Sequence, residues 1–282
     1  MESQLVAPAT LYVVATPLGH LGDLTTRAAE VLRGVEVVAA EDTRRSRTLL
    51  EHLAASPRVV SFHAHSDAAR TEALLALLAD GRSIALVTDA GTPGVSDPGA
   101  ALVAAVRAAG YAVVPIPGPS AVAVALSAAG LPADRFLFLG FPPRKGAERR
   151  ELLARAAREP WSIVFYEAPG RLAALLRDLA AVAGGDRPAV VARELTKVHE
   201  EFRPGTLAGL AAWYEAHEPR GEITLVVAGA PAVPLVMDAE FLTAEARRLL
   251  GEGLSRKDVV RQLTESSGLP RNDIYRLVTE LS

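Results

Sequence analysis

The sequence predicts a two-domain α/β fold, a parallel sheet followed by a mixed sheet, with a small helical bundle at the C-terminal end. Three observations carry this. Short apolar runs alternate with stretches of helical length from residue 11 to residue 130, the pattern of parallel βαβ units. The pattern restarts near residues 130–135. Beyond residue 238 only helical periodicity remains. The expected boundaries are 1–132, 133–230 and 239–282, with the proline-rich "APAVPLVMD" (230–238) as linker.

"LYVVAT" (11–16) is the first strand. The helix "LTTRAAEVLRG" follows, with Thr25 or Thr26 to cap it and Gly34 to stop it. "VEVVAA" (35–40) and "RVVSF" (58–62) are the next strands, separated by the helix "TRRSRTLLEHL". The helix "DAARTEALLALLADG" leads to the strand "SIALVT" (83–88). The helix "GAALVAAVRAAG" leads to the strand "YAVVPI" (111–116), and the small-residue helix "SAVAVALSAAG" closes on Gly130. The second domain reads as the strand "RFLFLGF" (135–141), the helix "KGAERRELLARAAR", the strand "SIVFYEA" (162–168) and the helix "RLAALLRDLAAVAG". The strands "PAVVARE" (188–194) and "EITLVVAG" (222–229) complete it. The bundle is "TAEARRLLGEG", "SRKDVVRQLTESSG" and "PRNDIYRLVTEL", with Gly253 and Gly268 as stops, and resembles a helix-turn-helix.

Half of the 282 residues are hydrophobic and 22% are charged, a globular composition. The absence of cysteine excludes disulfides, thiolate catalysis and cysteine metal sites, and points to a reducing cytosol. "MESQLVAPAT" lacks the pattern of a signal peptide. The most apolar stretch, "AALVAAVRAAGYAVVPIPGPS", is broken by Arg107, Gly110 and prolines, so neither a membrane span nor a membrane partner is expected. A net charge of −3 argues against a large nonspecific nucleic-acid surface and leaves room for a local basic patch.

The unusual loops all follow strands, where open α/β sheets bind ligands. They are "ATPLGHLGDLT" (15–25), "AEDTRRSR" (40–47), "FHAHSD" (62–67), "TDAGTPGVSDPG" (88–99) and "PGPSA" (117–121), then "FPPRKG" (141–146), "YEAPGR" (166–171) and "ARELTK" (192–197). No GxxxxGK[ST] loop is present, and "GHLGDL" is not the GxGxxG fingerprint. Asp89 and Asp97 repel phosphate but accept hydrogen bonds from hydroxyls or an amine. S-adenosylmethionine has a ribose, an ammonium and a sulfonium and no phosphate, which suits such loops; sugars or amino acids suit them too.

Eight ordered motifs carry a resemblance: "TPLGHLGDLT", "EDTRRSRTLL", "TDAGTPGVSDPG", "PGPSAVAVALSAAGL", "FLGFPPRKG", "VFYEAPGRL", "ARELTKVHEE" and "GEITLVV". Over residues 10–230 the chain resembles the 16S ribosomal RNA cytidine 2′-O-methyltransferases, a branch of the tetrapyrrole-methylase superfamily. The resemblance implies a two-domain tetrapyrrole-methylase-like fold with S-adenosylmethionine in the cleft, and a homodimer. It also implies, as substrate, a decoding-centre cytidine of 16S rRNA within the 30S subunit. The same resemblance implies a cofactor pocket of Asp89, Gly91, Thr92, Pro93, Val95 and Ser96, with Ser120 and Ala121 at a helix N-terminus. Pro17 and Leu18 would approach from the first strand, and Tyr166, Glu222, Ile223 and Thr224 would form the second domain's wall. His20, Ala64, Ser66, Asp67, Ala168 and Gly170 depart from the family's pattern, and no role is carried over to them.

The implied reaction is attack of a ribose hydroxyl on an activated methyl, so alignment supplies much of the rate. Asp23, Glu41, Asp42 and Glu167 are the candidates for a general base, each with an alternative as a structural partner. His63 and His65 alternate at a strand end with Asp67 nearby, but methyl transfer needs no metal and none is assigned. Arg44, Arg45, Arg144 and Lys145 are the candidate RNA contacts. Arg149, Arg150, Arg155 and Arg158 extend that charge along a helix, where an ordinary solvated face explains them equally well. Acids and bases nearly balance in the bundle, so no DNA partner is expected; docking on rRNA or on a second copy is its expected role. The competing readings are a tetrapyrrole or corrinoid methyltransferase and a nonenzymatic adenosine-ligand sensor. The basic loop and the bundle argue against the former.

Overall fold

A computed structural model describes residues 6–63, 68–231, 239–267 and 269–281. The expected stop Gly268, most of the linker (232–238), and His65 with Ala64, Ser66 and Asp67 lie outside them. The chain divides into two compact units, one ending at Gly229 and the other starting at Ala230.

The first unit begins with β1 (Thr10–Val14), α1 (Thr26–Gly34), β2 (Val37–Ala40), α2 (Thr43–His52), β3 (Arg58–Ser61) and α3 (Ala68–Ala79). It continues with β4 (Ile84–Val87), α4 (Ala100–Ala108), β5 (Ala112–Ile116) and α5 (Ala121–Ala129). The strands form one parallel sheet in the order β3-β2-β4-β1-β5. Every residue of β2 and β4 is buried, which explains their uninterrupted apolar runs: helices cover both faces of a parallel sheet. One face packs Val31, Leu32 and Leu50, and the other packs Leu74, Leu78, Leu102 and Val106. Thr25 caps α1, its hydroxyl accepting from the Ala28 amide. Gly130 ends α5 at φ 67°, the left-handed cap that glycine favours.

The second half of this unit contains β6 (Phe136–Phe138), α6 (Ala147–Arg158), β7 (Ser162–Glu167), α7 (Leu172–Ala183) and β8 (Pro188–Arg193). Then come β9 (Glu201–Thr206), α8 (Leu207–Ala216) and β10 (Ile223–Val227). Its sheet runs β6-β7-β10-β8-β9. Only β6 and β7 pair in parallel; the other pairs are antiparallel. Neither β9 nor α8 is among the elements expected from the sequence. Pro204 and Gly205 disguise β9, yet an edge strand tolerates proline. The helix had a signal, since Leu207, Leu210, Ala211 and Tyr214 recur at i, i+3, i+4 and i+7 and are buried.

The alanine-rich α5 joins the two sheets. Val122, Ala125 and Leu126 pack with Val164, Ala192 and Val226 of the second sheet and with Leu18 after β1. Small side chains permit that close approach.

The second unit holds α9 (Ala239–Gly251), α10 (Arg256–Ser267) and α11 (Arg271–Glu280) around its own core of Leu242, Leu249, Val259, Leu263, Ile274 and Val278. Among the described residues no helix is long and apolar enough to cross a membrane.

Candidate functional site

The carboxyl ends of β1, β2 and β4 lie at one end of the parallel sheet, and their loops are tied together. The Thr16 and Gly91 backbones bond each other in both directions, at 2.9 and 3.0 Å. The Thr16 hydroxyl donates to the Thr88 carbonyl at 3.1 Å, and the Thr92 hydroxyl to the Pro119 carbonyl at 3.1 Å. Gly91 takes φ 85° and Ser96 takes φ 62°, so the loop after β4 is shaped by left-handed residues, one of them not glycine. It reaches the second sheet: a Cβ on Gly140, at φ 60°, would lie 2.9 Å from Ser96 Oγ.

These loops enclose a cavity of about 460 Å³, within the size range of cofactor pockets. Leu18, Asp89, Gly91, Thr92, Val95 and Ser96 line one side, and Ser120 and Ala121 open α5 onto it. Tyr166, Glu222, Ile223 and Thr224 line the other. Pro17 and Pro93 are outside the lining, as are Asp23 and Asp42. Ser120 occupies the N-cap position of α5, but its hydroxyl makes no capping hydrogen bond. Thr88, Asp97 and Phe141 join the lining without having been assigned to it from sequence. The signal for Asp97 was its place in the same glycine-rich loop.

Five carboxyls, Glu41, Asp89, Asp97, Glu167 and Glu222, share the cavity with one cation, Arg45. Most have assigned work. Glu41 Oε2 accepts from the Thr88 hydroxyl at 3.0 Å. Asp89 accepts from the Asp42 amide at 3.0 Å and pairs with Arg45 at 3.6 Å. Glu222 pairs with Lys197 at 3.2 Å, and Lys197 also meets Glu194 at 2.8 Å. Burial alone would lower the Lys197 ammonium, but the hydrogen bond to Glu194 and the Glu222 charge raise it, so it stays protonated. Glu167 is sealed, with a fully buried side chain, and its Oε1 accepts from the Ala168 amide at 2.8 Å and pairs with Arg171 at 3.1 Å. Burial pushes its carboxyl upward.

Asp97 differs. Burial, reinforced by the charges of Glu41, Asp89 and Glu222, pushes its carboxyl up to about 6, although the Thr88 hydroxyl opposes this. Burial and the Asp97 charge push the Tyr166 phenol up to about 12, so it remains a neutral donor. Asp42 is the opposite case. It caps α2 through the Arg44 amide at 2.8 Å, and its bonds with Arg44 hold its carboxyl at about 2. Asp23 is exposed in the short turn Leu21–Asp23.

The cationic candidates separate. Arg44 is exposed and bonded to Asp42, and Arg45 belongs to the cavity. Arg144 and Lys145 are exposed. Arg149, grouped with the basic helix face from sequence, is 8% exposed and bound to Asp178, so it adds nothing to that face. His20 caps the turn that follows it, its Nδ1 accepting from the Gly22 amide at 3.1 Å, while Ala168 precedes the short turn Pro169–Arg171 after β7 and Gly170 lies within it.

Apolar walls, hydroxyl-binding carboxylates, excess negative charge and the absence of a lysine in the lining fit a phosphate-free cation with an apolar ring system. S-adenosylmethionine has that chemistry, and the lining residues fit it.

Comparisons with known proteins agree. The family model of Tetrapyrrole (Corrin/Porphyrin) Methylases matches residues 10–211. The chain is 48% identical to the "Ribosomal RNA small subunit methyltransferase I" of Synechocystis sp., over 96% of this chain and 98% of that one. It is 44% identical to the protein of the same name from Escherichia coli O157:H7, over 96% and 94% of the two chains. Among solved structures, cobalt precorrin-4 methyltransferase superposes with a TM-score of 0.62 at 19% identity, covering 78% of this chain and 95% of that one. A uroporphyrin-III C-methyltransferase from Thermus thermophilus complexed with S-adenosyl homocysteine superposes with a TM-score of 0.58 at 19% identity, covering 78% and 97%.

Proposed function

The chain belongs to the tetrapyrrole (corrin/porphyrin) methylase family, and from that premise we propose that its methyl acceptor is the RNA of the small ribosomal subunit. The near-full-length identity to relatives named for that activity carries this reading. It is an S-adenosylmethionine-dependent methyltransferase. The finer target is the 2′-hydroxyl of a decoding-centre cytidine in the 30S subunit, methylated by a homodimer, as the ordered motifs imply.

S-adenosylmethionine supplies an activated methyl group. The chain's task is to bind, align and remove a proton. In this reading Leu18, Val95 and Ile223 hold the apolar ring, and the α5 start at Ser120 and Ala121 offers backbone amides. Asp89 and Glu222 accept from hydroxyl or ammonium groups. Asp97 takes the proton released by the ribose hydroxyl: its affinity near 6 leaves it ionised at neutral pH yet basic enough to accept. Arg144 and Lys145 contact RNA phosphates.

The test is transfer of labelled methyl from S-adenosylmethionine to 30S subunits from a strain lacking the activity, to naked 16S rRNA, and to a tetrapyrrole. Label on one cytidine ribose of the 30S subunit is the expected result. Label on the tetrapyrrole alone would place the acceptor among small molecules.

A further inference from the structure

We infer that Phe141 is a stacking platform for the base of the nucleotide being methylated, held at the cavity mouth by two arginine clamps. The inference rests on the reading that the acceptor is RNA.

Phe141 lines the cavity and is nonetheless 57% exposed. It ends a row of three rings. Phe138 meets Tyr166 edge-on with centroids 4.9 Å apart, and Tyr166 meets Phe141 at 5.5 Å and 59°. The inner members are half-buried and pack against the core, and the last presents apolar surface at the mouth.

The chain around it is fixed in an unusual way. Gly140, at φ 60°, lies against Ser96 and sets where Phe141 leaves the strand. Pro142 and Pro143 follow and have no N–H to donate, so a loop of this composition cannot zip itself into a ladder. Their carbonyls are taken by arginines instead. Arg171 donates to the Pro142 carbonyl at 2.6 Å while pairing with the buried Glu167. Arg149 donates to the Pro143 carbonyl at 3.0 Å while pairing with Asp178 at 2.7 Å. Each clamp carries its own counter-charge, so the loop gains rigidity without net charge. The exposed Arg144 and Lys145 come immediately afterwards. A rigid, exposed ring beside a cavity and next to two cations matches what a single nucleotide offers: a base to stack and phosphates to neutralise. A ribose buried deep in a folded RNA has to be drawn out, and a platform for its base holds the extruded state.

The test uses the full chain with Phe141→Ala, Phe141→Leu and Phe141→Trp. KM and kcat for 30S subunits are measured alongside the Kd for S-adenosylmethionine. Loss of one base–aromatic stack should raise KM for 30S subunits about tenfold or more in the Ala and Leu variants. Their cofactor Kd should stay within about twofold, and Phe141→Trp should restore the low KM. The Leu variant keeps the apolar volume, so a Leu variant as good as Trp would reduce Phe141 to a wall and overturn the platform. Cofactor affinity falling in step with KM would reassign the ring to the cofactor and also overturn it. Wild-type protein that transfers nothing to 30S subunits would remove the nucleotide, and the acceptor reading with it. Normal transfer to RNA by wild-type and Ala variant alike would overturn the platform alone.

Discussion

Asp97→Asn is expected to lower kcat for RNA methylation by about 10²–10⁴-fold, the range for loss of a positioned general base. The same change is expected to stabilise the protein at pH 7.5. A carboxyl whose proton affinity is raised in the folded state costs stability once it ionises, and the cost grows as pH rises from its ordinary value of 3.8 through about 6. Asparagine removes a charge crowded by Glu41, Asp89 and Glu222 while keeping the shape. A residue that only supports the fold would show the reverse pair of effects. The wild-type rate should rise with pH through a midpoint near 6, because only the ionised carboxylate accepts a proton. A bound cation favours ionisation, so saturating cofactor should move that midpoint lower. The residual rate of the variant should lack this limb. Rates measured from pH 5 to 8, with thermal unfolding at both ends, decide it. Full activity in the variant, or an unchanged limb, would move the proton to another acceptor.

How far the site was legible in sequence depends on what each residue's signal is. The loop 88–99 announced itself, because glycines and prolines between a buried strand and a helix have few structural uses at that density. Its Gly91, Thr92, Val95 and Ser96 reach the cavity, as do Ser120, Tyr166 and Glu222. The carboxyls were harder. Asp97 lies in a glycine-rich loop and Asp42 directly before a helix, but neither signal shows which charges surround the carboxyl. What separates them is tertiary: Asp42 meets the start of α2 and the Arg44 guanidinium, whereas Asp97 is folded back among other acids. Arg149 was misread for the same reason. Its place in a run of basic residues grouped it with that face, and only the packing of α6 against α7 brings Asp178 to it and buries it.

The fold was legible where burial is two-sided. The apolar runs of β2 and β4 cannot be mistaken once both faces are covered. Strand β9 escaped because edge strands carry a weaker pattern and here contain Pro204 and Gly205. Phe141 escaped as a site residue because a phenylalanine after a strand reads as core. Its exposure follows from the clamps on Pro142 and Pro143, one from Arg149 at the start of the next helix and one from Arg171 beyond the next strand.

Gly99→Ala is expected to destabilise the first unit by about 2–6 kcal/mol, from two separable causes. The residue sits at φ 144° and ψ −32°, outside the regions open to side chains, and alanine there is strained by about 1–3 kcal/mol. Its Cβ would also fall 2.8 Å from Leu86 Cδ2, a side chain buried completely in the central strand β4, and overpacking adds about 1–3 kcal/mol. For a unit of this size that corresponds to roughly 4–24 °C in Tm. Trp161 and Trp213 are the two tryptophans, and both belong to the first unit, so their fluorescence reports its unfolding without the bundle. Gly110→Ala is the control: it imposes φ 82° but meets nothing within 4 Å, so it carries strain alone. The excess loss in Gly99→Ala over Gly110→Ala measures the Leu86 overlap together with the extra strain of φ 144° over φ 82°. Equal losses would mean that Leu86 yields by changing rotamer. The fold has a functional reason to keep this glycine. Asp97 and Pro98 directly precede it, and Gly99 supplies the carbonyl that accepts the Val103 amide at 2.9 Å in the first turn of α4. Any backbone shift that relieves the alanine is therefore passed to Asp97, and kcat should fall in Gly99→Ala while remaining intact in Gly110→Ala.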